Sequence, residues 1–125
     1  MVQLKPIQPQ SGAPSVFDLY FWADGDDSPV EQFILGLEAV DLTKVITLLE
    51  RVAMHGLPGN PEKYKKLKGY ENVHELKSDH VRLLCFVDGR RIILTEGFMK
   101  TKRSTDQKYI DRAERRRLAF LHNHD

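Results

Sequence analysis

The stretch VHELKSDHVRLLCFVDGRRIILTEGFMK, residues 73–100, decides the fold. It holds three short apolar runs: Val73 to Leu76 closed by Lys77, Val81 to Val87 with Arg82 inside, and Ile92 to Met99 running into Lys100, Lys102 and Arg103. Each run has the length and composition of a strand. Asp88-Gly89 is the strongest short hairpin signal in the chain and joins the second run to the third. Ser78 to His80 can turn the first into the second. Because strand side chains alternate between faces, such runs bury one face and array cations on the other. A fixed row of cations on a sheet suits phosphate, which makes RNA the leading ligand.

Upstream, Phe17 to Trp22 reads as a first strand, ended by the turn-prone Asp24, Gly25, Asp26 and Asp27. Phe21 and Trp22 then belong to strand packing. Ser28 is placed as an N-cap, with Pro29 at the first helical position and Glu31 completing a capping box. Val30, Phe33, Ile34 and Leu37 follow at helical spacing. A second helix runs from about Leu42 to His55, with Val45, Leu48, Leu49 and Val52 inward and Gly56 as its stop. The two are expected to form a helical hairpin. After the linker Leu57 to Pro61 comes a basic stretch, Lys63 to Gly69. Ser104 can cap a last helix to about Leu121. Residues 1–15, with Pro6, Pro9, Pro14, Ser11 and Gly12, read as a flexible arm; 16–121 form one domain, and 122–125, with His122 and His124, a frayed tail. The expected fold class is α+β: a small antiparallel-rich sheet, the N-terminal helical hairpin packed on one face, and a C-terminal helix.

A chain of 125 residues, 41% hydrophobic and 30% charged, fits one soluble core. It contains neither a membrane-spanning run nor a secretory signal, so the cytoplasm is the expected compartment. Cys85 is the single cysteine, which excludes an internal disulfide and a cysteine metal cluster. The net charge of +1 hides an asymmetry: residues 1–59 carry −5 and residues 60–125 carry +6. A basic second half points to an acidic partner, nucleic acid above all, although a solvated arginine-rich helix would give the same balance. No Gly-rich phosphate loop, zinc spacing or nucleophile elbow is present.

Glu75-Leu76-Lys77, Arg82-Leu83-Leu84 and Gly97-Phe98-Met99-Lys100-Thr101-Lys102 resemble the ELR, YRxxY and GFxKK signatures of RelE/HigB-type toxins, in particular the phage-derived Gp49-like branch. The Ser28 to Phe33 helix start, the His55-Gly56-Leu57-Pro58 helix end and the Lys66-Leu67-Lys68-Gly69 tract stand where that branch has theirs. The resemblance covers roughly Phe17 to Leu121. It implies a RelE-like fold and the toxin of a type II toxin-antitoxin system: a ribosome-dependent mRNA endonuclease that inhibits translation by metal-free attack of the ribose 2′-hydroxyl on the adjacent phosphate. The implied partners are a cognate antitoxin, the ribosome and mRNA, with no membrane and no cofactor. The related ParE branch instead inhibits DNA gyrase, and a catalytically decayed toxin would only bind its antitoxin.

The resemblance also assigns residues. Arg82 matches the strand arginine and is the first candidate for stabilising charge on a phosphorane; the other reading is an arginine paired to Glu75 or Glu96. Lys77 takes the place of the ELR arginine, keeping the charge and losing the planar fork. Lys100 matches the first lysine of GFxKK, and Lys102 the second if Thr101 is an insertion; both also suit solvated edge lysines. Lys66, Lys68, Lys102 and Arg103 are expected to bind RNA phosphates. His80, beside Arg82, is the candidate proton shuttle, with Glu75 the alternative and His74 turned to the core. Val81 and Cys85 stand where the family has tyrosines, Cys85 reading as a small buried residue, and Tyr109 is the phenol nearest in sequence to the cationic segment.

Overall fold

The computed structural model describes residues 1–8 and 14–123, the side chain of residue 123 excepted. Pro9, Ser11 and Gly12 of the expected arm, and His124 of the expected tail, lie outside the described residues. In chain order the elements are β1 (Val2–Pro6), β2 (Asp18–Asp24), α1 (Pro29–Leu35), α2 (Ala39–His55), β3 (Tyr64–Lys66), β4 (His74–Ser78), β5 (Val81–Asp88), β6 (Arg91–Met99) and α3 (Gln107–Asn123). The strands form a six-stranded sheet in the order β1-β2-β6-β5-β4-β3. Among the described residues only the β2–β6 pair is parallel. The architecture is therefore α+β with a C-terminal helix.

Local sequence explains the central hairpin. Gly89 takes φ 60°, and Gly89-Arg90 closes the two-residue turn between β5 and β6. With positive φ at the first turn position alone, the geometry is that of a type II′ turn, where glycine carries no steric cost. Asp79, at φ 51°, makes the β4–β5 turn, a conformation that aspartate tolerates better than most residues. On one sheet face, Val30 and Ile34 of α1 and Val45, Leu48, Leu49 and Val52 of α2 bury against Leu19, Leu76, Leu83, Ile92 and Leu94. On the other, Ile110 and Ala113 of α3 pack on Val73, Leu84 and Phe98, and Phe120 packs on Trp22, Phe86 and Ile93.

One irregularity sets which side chain meets which helix. Leu84 pairs with Glu96 and Cys85 with Leu94, so Thr95 is an extra residue in β6. Such a bulge reverses the alternation beyond it. Ile92 and Leu94 thus face α1 and α2, whereas Glu96 and Phe98 lie on the α3 face, as do their cross-strand partners Leu84 and Arg82. Thr95 ties the bulge by donating its hydroxyl to the Leu84 carbonyl at 3.1 Å. Gly97 then returns to the α1 face under the Phe33 ring.

Several expectations are corrected. The N-terminal segment is a pair of strands, β1 and β2, and not a helical hairpin; α1 has 7 residues against 17 in α2, too few to run beside it as a matching arm. Val2–Pro6 is an edge strand and not part of a loose arm, because it pairs antiparallel with β2 and Lys5 reaches Glu31 at 2.5 Å. That contact also disposes of the capping box: Ser28 makes no side-chain cap bond, and the Glu31 carboxylate goes to Lys5. Asp106, rather than Ser104, serves the start of α3 by accepting the Lys108 backbone N–H at 3.2 Å. The basic stretch after Pro61 contains a short edge strand, β3. His122 is in helix α3 rather than in a frayed tail.

A Cβ placed on Gly97 would lie 2.6 Å from Phe33 Cδ2 and 3.3 Å from Leu83 Cδ2. Gly97→Ala is expected to lower unfolding free energy by about 1–3 kcal/mol through overpacking. Urea denaturation checks this, with Phe33→Leu in the same chain restoring part of the loss.

Candidate functional site

The β4–β5 turn and the end of β6 lie side by side, since the Lys100 N–H donates to the His80 carbonyl at 2.7 Å. Beyond this pair the two strands diverge around an open depression of about 640 Å³, lined by His80, Arg82, Met99, Lys100, Thr101, Lys102 and Arg103. Five of the side chains singled out from the sequence meet here. Among the described residues, none of Lys100, Lys102, Arg103 or His80 lies within ion-pair distance of a carboxylate. The His80, Lys102 and Arg103 side chains are exposed and that of Lys100 is half-buried.

Arg82 is held differently. Its Nη1 donates to the Asp79 carbonyl at 2.5 Å and to the Val81 carbonyl at 3.0 Å. Its Nε lies 3.7 Å from Glu75 Oε1 and is buried without a hydrogen bond. Glu75 itself is 1% exposed, and its other oxygen accepts the Thr105 hydroxyl at 2.7 Å. The guanidinium is therefore fixed on one side by protein oxygens, while Nη2 makes no protein hydrogen bond among the described residues. Of the two carboxylates weighed as its partner, Glu75 is the one found. Glu96 is taken by Arg112 at 3.5 Å and Arg116 at 3.1 Å. Burial pushes the Glu96 carboxyl up, and these two guanidiniums oppose the shift.

Lys77 is directly across from Arg82 in the β4–β5 ladder, but its ammonium turns to the Pro61 carbonyl at 3.0 Å, outside the depression. Lys66 pairs with His74 and so shares the opposite sheet face, and Lys68 follows β3 on the surface. Neither reaches the depression. Lys65, which pairs with Glu75, is the β3 lysine on the Arg82 face. Reading Tyr64–Lys66 as a strand and applying period-2 alternation would have selected it.

His74 belongs to a separate network. Asn72 donates its amide to the Val87 carbonyl at 2.7 Å and accepts the Val87 N–H at 3.0 Å, so Asn72 Oδ1 is an acceptor toward His74 Nε2, 3.0 Å away. The Nε2 tautomer follows by assignment, leaving Nδ1 to accept the Tyr64 hydroxyl at 2.7 Å. Burial, helped by the Lys66 charge, pushes the imidazole pKa down and keeps it neutral. Cys85 is buried, and burial pushes its thiol up to about 12, which removes it as a nucleophile. Tyr109 stacks on Phe98 at 4.1 Å between ring centroids, with an interplanar angle of 4°. It lines a smaller hollow that shares Met99, Lys100, Thr101 and Lys102 with the depression. The phenol therefore flanks the cationic group through a strand-to-helix contact that sequence distance does not reveal. Among the described residues no helix is long and apolar enough to cross a membrane, and no three metal-ligating side chains converge.

An α+β domain carrying a cationic depression at a strand turn is the class that this geometry defines. The family described as Phage derived protein Gp49-like (DUF891) matches residues 32–118, and the chain belongs to that family. No curated protein matches the chain.

Arg82→Ala would leave the Glu75 carboxylate buried without its cation, a change that costs on the order of 3–5 kcal/mol. Glu75→Gln combined with Arg82→Ala is expected to be more stable than Arg82→Ala alone, and a double-mutant cycle by denaturation reads the difference. Native protein is expected to resist thiol alkylation at pH 8 and to react once unfolded. Since the folded thiol titrates far above its ordinary 9.0, unfolding releases a proton above that pH, and the Cys85 contribution to stability falls as pH rises from about 9 toward about 12.

Proposed function

We propose that the protein is the toxin of a type II toxin-antitoxin system and cleaves mRNA on the ribosome. Membership of the Gp49-like family and the ELR, YRxxY and GFxKK-like segments support this reading. The single observation that carries it is Arg82: a guanidinium immobilised on one edge, open on the other, beside an exposed imidazole and three unpaired cations.

In the proposed reaction the ribose 2′-oxygen attacks phosphorus, its proton passing to the His80 imidazole. The bond to the 5′-oxygen breaks, leaving a 2′,3′-cyclic phosphate and a 5′-hydroxyl whose proton the Lys100 ammonium can supply. Negative charge grows on the non-bridging oxygens, where Arg82 Nη2 can donate without rearrangement. Lys102 and Arg103 would hold flanking phosphates and fix register without reading bases. The cognate antitoxin would cover this face while the toxin rests.

A second reading has its own observation. Val81 and Cys85 place apolar side chains at the signature tyrosine positions, and three contacts already engage Arg82; both favour a decayed toxin that binds without cleaving. A gyrase-directed activity would leave mRNA intact and damage DNA.

Induction of wild type followed by mapping of mRNA 5′ ends within minutes is expected to show new ends inside translated codons. Arg82→Lys, which keeps the charge opposite Glu75 but loses the fork, is expected to reduce their formation about 10²-fold. Intact mRNA with arrested growth would transfer the reading to gyrase, and intact mRNA with normal growth to the decayed toxin. Binding of a short RNA should weaken with salt, and Lys102→Gln should reduce the slope of log K against log salt by about 0.7.

A further inference from the structure

We infer that the cleft between α2 and the β4–β5 turn is a second phosphate-binding site, sized for a mononucleotide. One stripe of α2, at Lys44, Thr47, Leu48, Arg51 and His55, forms its wall; the 56–60 loop, Lys63 and Asp79 complete it. These positions recur every three or four residues, so a single helical face carries two permanent cations and an imidazole. The opposite rim adds the Lys63 ammonium. The open cleft measures about 590 Å³, within the range of pockets that take small ligands.

Charge allocation separates this cleft from an ordinary solvated helix face. Arg90, Arg91, Arg112, Arg116 and Arg117 each have a carboxylate within ion-pair distance. Arg51 and Lys63 have none among the described residues, and Asp79, already bound to Lys44 at 2.7 Å, is the one carboxylate in the lining. Arg51 and Lys63 thus line one concave surface whose single carboxylate is already bound to Lys44, although the Lys63 charge also acts on it, and a phosphate there would gain charge-assisted hydrogen bonds. The rest of the lining suits the remainder of a nucleotide. Pro58, half-buried at the rim, offers apolar surface to a base, and the Thr43 and Thr47 hydroxyls, whose protons go to the Ala39 and Thr43 carbonyls, keep lone pairs for a ribose hydroxyl.

This site is separate from the proposed cleavage site, and its test uses no cleavage readout. Titration of the full chain with ADP, followed by 15N and 13C NMR, is expected to give saturable shifts at Thr47, Arg51, His55 and Lys63. Arg51→Gln should weaken ADP about tenfold, and Arg51→Gln with Lys63→Gln further still, one charge-assisted contact being lost at each step. Both residues are exposed, so unchanged circular dichroism is expected for the variants. Pyrophosphate should shift the same cations more weakly than ADP. The inference is overturned if ADP moves only His80, Arg82 and residues 99–103, if the double variant binds as wild type does, or if a short RNA shifts the cleft while ADP does not.

Discussion

The extra residue Thr95 in β6 is the constraint on which the arrangement turns. Strand alternation would otherwise carry Ile92 and Leu94 into Glu96 and Phe98 on one face, forcing a carboxylate into the α1/α2 core. The bulge lets a single strand serve two layers: its first half buries aliphatic side chains under α1 and α2, and its second half gives Phe98 and Glu96 to α3. Everything distal follows. Phe98 meets Tyr109, Glu96 receives Arg112 and Arg116, and Lys100 emerges beside His80. Gly97 is the local accommodation, because its missing Cβ leaves room for Phe33 as the strand changes side.

Buried carboxylates sort the cations of the α3 face into structural and available ones. Glu96 and Glu75 are both nearly inaccessible, and a buried carboxylate is tolerated only when paired and hydrogen-bonded. Glu96 holds Arg112 and Arg116, with burial driving the Arg116 pKa down and Glu96 opposing it. These arginines account for much of the basic character of α3 and so are poor candidates for a ligand. Glu75 instead holds Arg82 by one edge, which orients the fork without consuming it. Among the described residues Lys100, Lys102 and Arg103 have no carboxylate within ion-pair distance, so the cations that line the depression are not held by the buried acids.

The sequence made most of the sheet legible because its signals there are local. Asp88-Gly89 needs only its own backbone preferences, and the apolar stretches Leu83–Val87 and Ile92–Leu94 flank it. β1 gave no such signal: its residues include Pro6, and its order comes from partners 14 to 22 positions away in β2 and from the Lys5–Glu31 ion pair. A strand created by non-local pairing cannot be read from its own composition. The site divides the same way. His80, Arg82 and Lys100 are recoverable because adjacent strands of one meander bring them together, whereas only the period of β3, and not its charge, separates Lys65 on the Arg82 face from Lys66 on the other. Tyr109 reached the site through packing of α3, a tertiary fact.

Asp79 is where the two cationic hollows touch. Its carboxylate holds Lys44 on the α2 side, its carbonyl accepts Arg82 on the other, and its φ of 51° keeps both groups in place. That would make it a route for communication if the Lys44 contact were strong. The Lys44 and Asp79 side chains are 54% and 52% exposed, and exposed ion pairs contribute little because water and salt screen them and two long side chains must be ordered. The Arg82 contact is of another kind: a charge-assisted bond to a backbone carbonyl, on an arginine only 14% exposed. An anion that drew Lys44 from Asp79 would therefore loosen a weak tether and leave the stronger one intact. The turn conformation belongs to the β4–β5 ladder and to Arg82, so a change at Lys44 leaves the Arg82 side of the turn in place.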